Sequence, residues 1–125
     1  MQRSDKQWAE VCKIVDKRDN RSDRFLKILT PSELLILGNK RKVRCERAHI
    51  LERSVYPEEI YNAKNIITIN AYCHKNLDNC KNPITGEYVE QNERNWWWYR
   101  LYFKTTETYN ENIDYQQILK NEIIN

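Results

Sequence analysis

Two glycines and three prolines in 125 residues leave no basis for a collagen-like repeat, and neither an internal repeat nor a low-complexity linker interrupts the chain. No apolar run is long enough to span a bilayer. The start, Met1-Gln2-Arg3-Ser4-Asp5-Lys6, has no hydrophobic core of the kind a signal peptide needs, so the cytoplasm is the expected location and no membrane partner is expected. The four cysteines, Cys12, Cys45, Cys73 and Cys80, contain no C-x-x-C pair. Free thiols are therefore expected, with Cys12, Cys45 and Cys80 acting as small buried or half-buried apolar groups. No helix-turn-helix or zinc-finger reader is visible. Histidine is scarce as well: His49 and His74 are the only two.

What is present reads as one charged, aromatic-rich globular domain over residues 1–125. A chain of this size buries roughly two thirds of its unfolded surface, enough for one modest core. The net charge of +3 is mild, but its distribution is uneven. Lys40, Arg41, Lys42 and Arg44 form a basic run, and Arg47 and Arg53 flank His49. A local basic patch suits a phosphate backbone, although a short charge run is also common on any solvated turn.

The pattern along the chain predicts an α+β fold. Ser4-Asp5-Lys6-Gln7 fits a capping box for a first helix with Trp8, Val11, Cys12 and Val15 at helical spacing. Lys17 to Asp23 reads as a polar connection, followed by an apolar cluster at Phe25, Leu26, Ile28 and Leu29. Thr30-Pro31-Ser32-Glu33 is a second helix start, filled by Leu34, Leu35 and Leu37 and stopped by Gly38-Asn39. Val43 to about Leu51 reads as a strand. Ser54 to Lys64 reads as a loop with a helical turn from Pro57. Ile66, Ile67 and Ile69 make a β-branched strand, Ala71 to about Asn79 a short helix, and Pro83 to Gly86 a turn. Trp96 to Phe103 is strand or helix, chiefly core, with Arg94 and Arg100 placed for base stacking or phosphate contact. Asn112 is a cap for a final helix carrying Ile118, Leu119 and Ile123.

Both histidines fall inside the strand–loop–strand–helix stretch. The first lies in Arg44-Cys45-Glu46-Arg47-Ala48-His49-Ile50, and the second ends Asn65-Ile66-Ile67-Thr68-Ile69-Asn70-Ala71-Tyr72-Cys73-His74. From about Cys45 to Gly86 the chain resembles the HNH (ββα-metal) endonuclease family, in which a "HI" pair ends one strand and a "CH" pair opens the helix. The resemblance implies a ββα-metal core over about 43–80, wrapped by N-terminal helices and the aromatic C-terminal segment. It implies His49 as general base, Asn65 as the asparagine that fixes the loop, and His74 as a metal ligand. Asp78, four residues after His74, shares its helix face and is the expected second ligand, with Asn79 in reserve.

The implied activity is DNA phosphodiester hydrolysis with one divalent cation, Mg²⁺ or Mn²⁺, Zn²⁺ being compatible with the ligand types. Histidine suits the base role because its unperturbed pKa of about 6.5 lies near working pH. Lys40, Arg41, Lys42, Arg44, Arg47 and Arg53 are the expected DNA contacts. A lone site makes one cut per visit, so double-strand cleavage needs a homodimer or two visits. The Asn-, Ile- and Lys-rich usage suits an AT-rich bacterial, phage or mobile-element source.

Two departures from the family pattern keep other readings open. Ala48 stands where many members have an Asp or His ligand, which allows a catalytically weakened nucleic-acid-binding protein on the same scaffold. Cys73 has Asn70 at its C-x-x-C partner position, so the family's zinc knuckle is not expected. A Cys45/His49/Cys73/His74 zinc centre in a structural or interaction domain is the third alternative.

Overall fold

The computed structural model describes residues 5–125. Ser4, the first member of the expected capping box, lies outside them. Among the described residues five α-helices surround a two-stranded antiparallel sheet, giving an α+β architecture. In chain order these are α1 (Asp5–Asp19), α2 (Pro31–Leu37), β1 (Cys45–His49), β2 (Ile66–Asn70), α3 (Ala71–Asp78), α4 (Gln91–Phe103) and α5 (Tyr115–Ile124), joined by turns that include short 3₁₀ segments. Among the described residues no helix is long and apolar enough to cross a membrane.

Local chemistry accounts for the helix boundaries. Thr30 and Glu33 form the reciprocal capping box, with Pro31 at the first helical position. Gly38 ends α2 at φ 55°, a backbone region glycine enters without the steric cost of a Cβ. Asn70 caps α3 by accepting from the Cys73 N–H. Asp114, not Asn112, caps α5; Asn112 instead donates its N–H to Asn110 in the preceding turn. The aromatic run is helical: Trp97, Trp98 and Leu101 face the core from α4.

The core joins all layers. Phe25, Leu37, Ile67, Ile69, Leu77 and Trp98 belong to one buried cluster, to which α5 adds Leu119 and Ile123. Fully burying one such aliphatic or aromatic side chain stabilises by about 1.5–3 kcal/mol. Leu35, expected to fill α2, is instead 82% exposed, because α2 buries only one narrow face.

The sheet is shorter than the predicted Val43–Leu51 strand. Register pairs Cys45 with Asn70, Arg47 with Thr68 and His49 with Ile66. The outer edge of β2 is closed by side chains from α1. Asp19 accepts the Thr68 N–H at 3.0 Å, and the Arg18 guanidinium donates to the Ile66 carbonyl. The segment Lys17 to Asp23, expected to be a polar connection, is thus structural: Asp19 and Asp23 are buried, and Asp19 also binds Arg24, just beyond the segment, at 2.8 Å.

Candidate functional site

His49 is the last residue of β1 and is half-buried. Its Nε2 lies 3.0 Å from the carbonyl oxygen of Ile60. A carbonyl can only accept, so Nε2 carries the proton of the neutral ring and Nδ1 carries the lone pair. Trp8 of α1 lies against the imidazole, with ring centroids 5.5 Å apart and planes inclined by 30°. These two contacts set the tautomer and the plane of the ring.

Asn65 fixes the segment that supplies the Ile60 carbonyl. Its side chain is fully buried. Oδ1 accepts the Leu51 N–H at 2.7 Å, while Nδ2 donates to the carbonyls of Leu51 and Glu59, both at 3.2 Å. Its own carbonyl accepts the Ile50 N–H. One amide therefore ties the two ends of the connection after β1 together. The loop is held against His49 by polar contacts that a buried amide cannot exchange for water.

His74 is set by a second chain of contacts. Asp23 accepts from the Asn70 amide at 2.7 Å, which orients the Asn70 oxygen toward the Cys73 N–H and anchors the first turn of α3. On that helix His74 places Nδ1 2.8 Å from Glu46 Oε2 and Nε2 3.2 Å from Asp78 Oδ2. Glu46 faces away from His49 along β1, as strand alternation requires, and that face meets α3. Its role escapes the sequence because it depends on where α3 packs.

The donor set suits a cation in one respect and limits it in another. Two ligands each about 2.1 Å from one ion, at a near-tetrahedral to right angle, stand about 3.0–3.4 Å apart. The 3.2 Å separation of His74 Nε2 and Asp78 Oδ2 falls in this range. Glu46 on Nδ1 is the carboxylate partner that metal-bound histidines commonly have. Ala48 is buried and offers no donor, and the reserve ligand Asn79 turns its amide back onto the Lys75 carbonyl at 2.8 Å. Among the described residues no three His, Cys, Asp or Glu side chains converge as a metal-binding group. The chain offers two donors, and water or substrate oxygens would complete a coordination sphere.

A Cys45/His49/Cys73/His74 centre does not assemble. Burial pushes the Cys73 thiol up to about 12, and its Sγ donates to the Pro83 carbonyl in the core. Cys45 is exposed, contrary to expectation, at the far end of β1 from His49, about 13 Å away at strand rise. Cys12 is buried and Cys80 half-buried, as expected.

His49, His74 and Asp78 line one open cleft of about 710 Å³, together with Trp8, Arg53 and Arg94. Arg94 is 5% exposed. It donates through Nε to the Leu77 carbonyl and through Nη1 to Glu52 at 2.9 Å, so it braces the end of α3 beside Asp78. A cation at a helix C-terminus also complements the helix dipole. Arg100, the other arginine of the aromatic run, is fully committed to Glu33 and the Ile28 carbonyl and serves the core.

The basic residues divide. Arg53 is exposed on the cleft. Arg47 also lines it, but its guanidinium clamps Asp16 at 2.9 and 2.6 Å. That hydrogen-bonded pairing lowers the Asp16 pKa and raises that of Arg47. Lys40, Arg41 and Lys42 lie in and just after the 3₁₀ turn Gly38–Arg41, where Lys40 sits over the Tyr72 ring of α3 at 5.6 Å. Arg44 is largely exposed and pairs with Glu46 at 3.0 Å. The geometry thus brings together both histidines, Asp78 and Arg53, while Lys40, Arg41 and Lys42 are not among the residues lining the cleft. No family model, curated protein or solved structure matches the chain.

Proposed function

We propose that the protein is a metal-dependent DNA endonuclease built on a ββα-metal (HNH) core. The observation that carries this reading is that two differently prepared histidines line one cleft. His49 is held as the Nε2–H tautomer, and His74 sits between Glu46 and Asp78. A base and a metal ligand flanking one phosphate are what hydrolysis of a phosphodiester requires.

In this reading Nδ1 of His49 takes a proton from the attacking water, and the Ile60 carbonyl steadies the imidazolium through Nε2–H. Asn65 keeps that carbonyl in place, so it is a positioning residue. His74 and Asp78 would hold one divalent cation, Mg²⁺ or Mn²⁺, with Zn²⁺ compatible. When bound, the cation supplies Lewis-acid stabilisation of the phosphate and of the leaving 3′ oxygen. Glu46 orients the His74 ring and makes its ligating nitrogen more basic. Arg53 and the lysine run recruit the DNA backbone.

A specific observation favours a second reading. Ala48 is sealed in the core at the position where a further ligand would stand. A chain with two ligands holds its metal weakly, and a nucleic-acid-binding protein without strong cleavage follows if occupancy is low. Incubation of purified protein with plasmid DNA separates the two. The nuclease converts supercoiled plasmid to nicked or linear forms with Mg²⁺ or Mn²⁺, and not with chelator. Retained DNA binding with no cleavage at any metal concentration would leave the binder alone standing.

A further inference from the structure

A second pocket, of about 310 Å³, opens where α1 ends, β2 begins and α4 ends. Its walls carry four cationic side chains, Arg18, Arg24, Lys64 and Lys104, beside Tyr102 and Ile66. These cations come from four separate segments, so no single charge run in the sequence announces them. One carboxylate, Asp19, offsets them by bonding both Arg18 and Arg24. These four cations outnumber the two carboxylates that act on the pocket, Asp19 and Glu122.

Two details show that this charge is not internally satisfied. Lys64 and Lys104 are exposed, and neither forms an ion pair among the described residues. Arg24 is buried, yet its Nε–H has no acceptor. A buried charged donor without an acceptor is costly. Lys104 holds φ 52° as the cap of α4, a left-handed position for which glycine is the usual residue. Glu122 is a second carboxylate nearby; it acts on the Tyr102 hydroxyl, whose pKa burial and Glu122 both raise.

We propose that this pocket binds a phosphate group. Clustered guanidinium and ammonium donors around a small concavity match an oxyanion with several acceptor oxygens. The source is either free phosphate or a backbone phosphate of nucleic acid held in the cleft; only the second rests on the nuclease reading. Trp8 in the cleft and Arg18 in the pocket stand ten residues apart on α1, about 15 Å along the helix. At about 3.4 Å per nucleotide along one strand, that spans four to five nucleotides.

The test is titration with inorganic phosphate against chloride at matched ionic strength, following the amide resonances of Lys64, Ile66 and Ile67. Saturable shifts in the parent, and affinity about tenfold weaker in the Lys64→Gln/Lys104→Gln double variant, are expected. Both replaced side chains are exposed, and the phosphate-free melting temperature checks that the fold is kept. Single strands of about 3 and about 10 nucleotides then identify the source, because only the longer spans the four to five nucleotides between the sites. Weakening of the longer strand alone in the double variant assigns a backbone phosphate. Phosphate binding with both strands unaffected assigns free phosphate, and the pocket stands without the nuclease. Absence of saturable shifts beyond chloride, or equal shifts in the double variant, overturns the proposal.

Discussion

The side-chain amide of Asn65 holds both backbone groups of Leu51, accepting its N–H at 2.7 Å and donating to its carbonyl at 3.2 Å. This imitates one more rung of the ladder just past the end of β1. It gives the Ile50–Lys64 connection a fixed root, and the Ile60 carbonyl beside His49 depends on that root.

Asn65→Ala leaves the Leu51 N–H and carbonyl without their partner inside the protein, while the Glu59 carbonyl keeps the Asn62 N–H. Destabilisation of about 2–4 kcal/mol is expected from urea unfolding, since each stranded buried group costs about 1–3 kcal/mol. A loss under about 1 kcal/mol would show that the loop is closed by something other than this amide.

His49→Ala removes the proposed base. Single-turnover cleavage should fall by about a hundredfold or more, with DNA binding and circular dichroism close to the parent. A variant that cuts as fast as the parent removes His49 from the chemistry.

His74→Ala and Asp78→Ala should each weaken Mn²⁺ binding in titration calorimetry, His74 more, and excess Mn²⁺ should partly restore Asp78→Ala. Glu46→Gln keeps both ligands but withdraws the charge from Nδ1, so about a 10–100-fold weaker affinity is expected. Unchanged affinity in all three variants would dissociate this cluster from the metal.

Asp19 gives the fold an acid-sensitive brace. Burial opposes its ionisation, but hydrogen bonds from Arg18 and the Thr68 N–H, with the Arg18 charge, outweigh it and bring the pKa from 3.8 to about 2. A pKa lowered in the folded state stabilises above the unfolded value, and that stability disappears as pH falls through the folded value. The contribution, about 2 kcal/mol, is fully present above about pH 4 and lost toward about pH 2. Urea unfolding between these limits should show a steeper loss for the parent than for Asp19→Asn. Parallel curves would remove the carboxylate from the acid response.

Replacing Lys40, Arg41 and Lys42 by Ala should weaken binding of unrelated DNA sequences alike and flatten the salt dependence of affinity. Cleavage of DNA already bound should change little. If affinity and salt slope match the parent, the run is a solvated turn and recruitment belongs elsewhere.

Residues whose role is local were legible in the chain. Thr30 and Glu33 mark a helix start because the capping box is written in four consecutive residues, and the β-branched run before His74 marks β2. The aromatic run resisted because Trp and Tyr suit strand and helix alike, and only packing of α4 on the core decides. Buried charge was the larger blind spot. Asp19 and Asp23 read as a polar connection because composition cannot tell a solvated ion from one that closes a sheet edge. Glu46 and Arg94 touch the site through partners 28 and 17 residues away, a relationship that no local pattern contains. At the site itself, His49, His74 and Asp78 line one cleft and Asn65 lies buried outside its lining, while the supporting contacts of Trp8 and the Ile60 carbonyl came from tertiary structure alone.

The outer edge of β2 bears on how copies of this chain meet. A bare strand edge is a template onto which another molecule can add a strand. Here that template is occupied from within, because Arg18 and Asp19 take the carbonyl and N–H groups that an incoming backbone would use. Both residues lie in the last turn of α1, so docking of the N-terminal helix doubles as a guard against strand-to-strand assembly. A chain deprived of that helix presents Ile66–Asn70, rich in β-branched side chains, to its neighbours, and aggregation through this strand is the consequence.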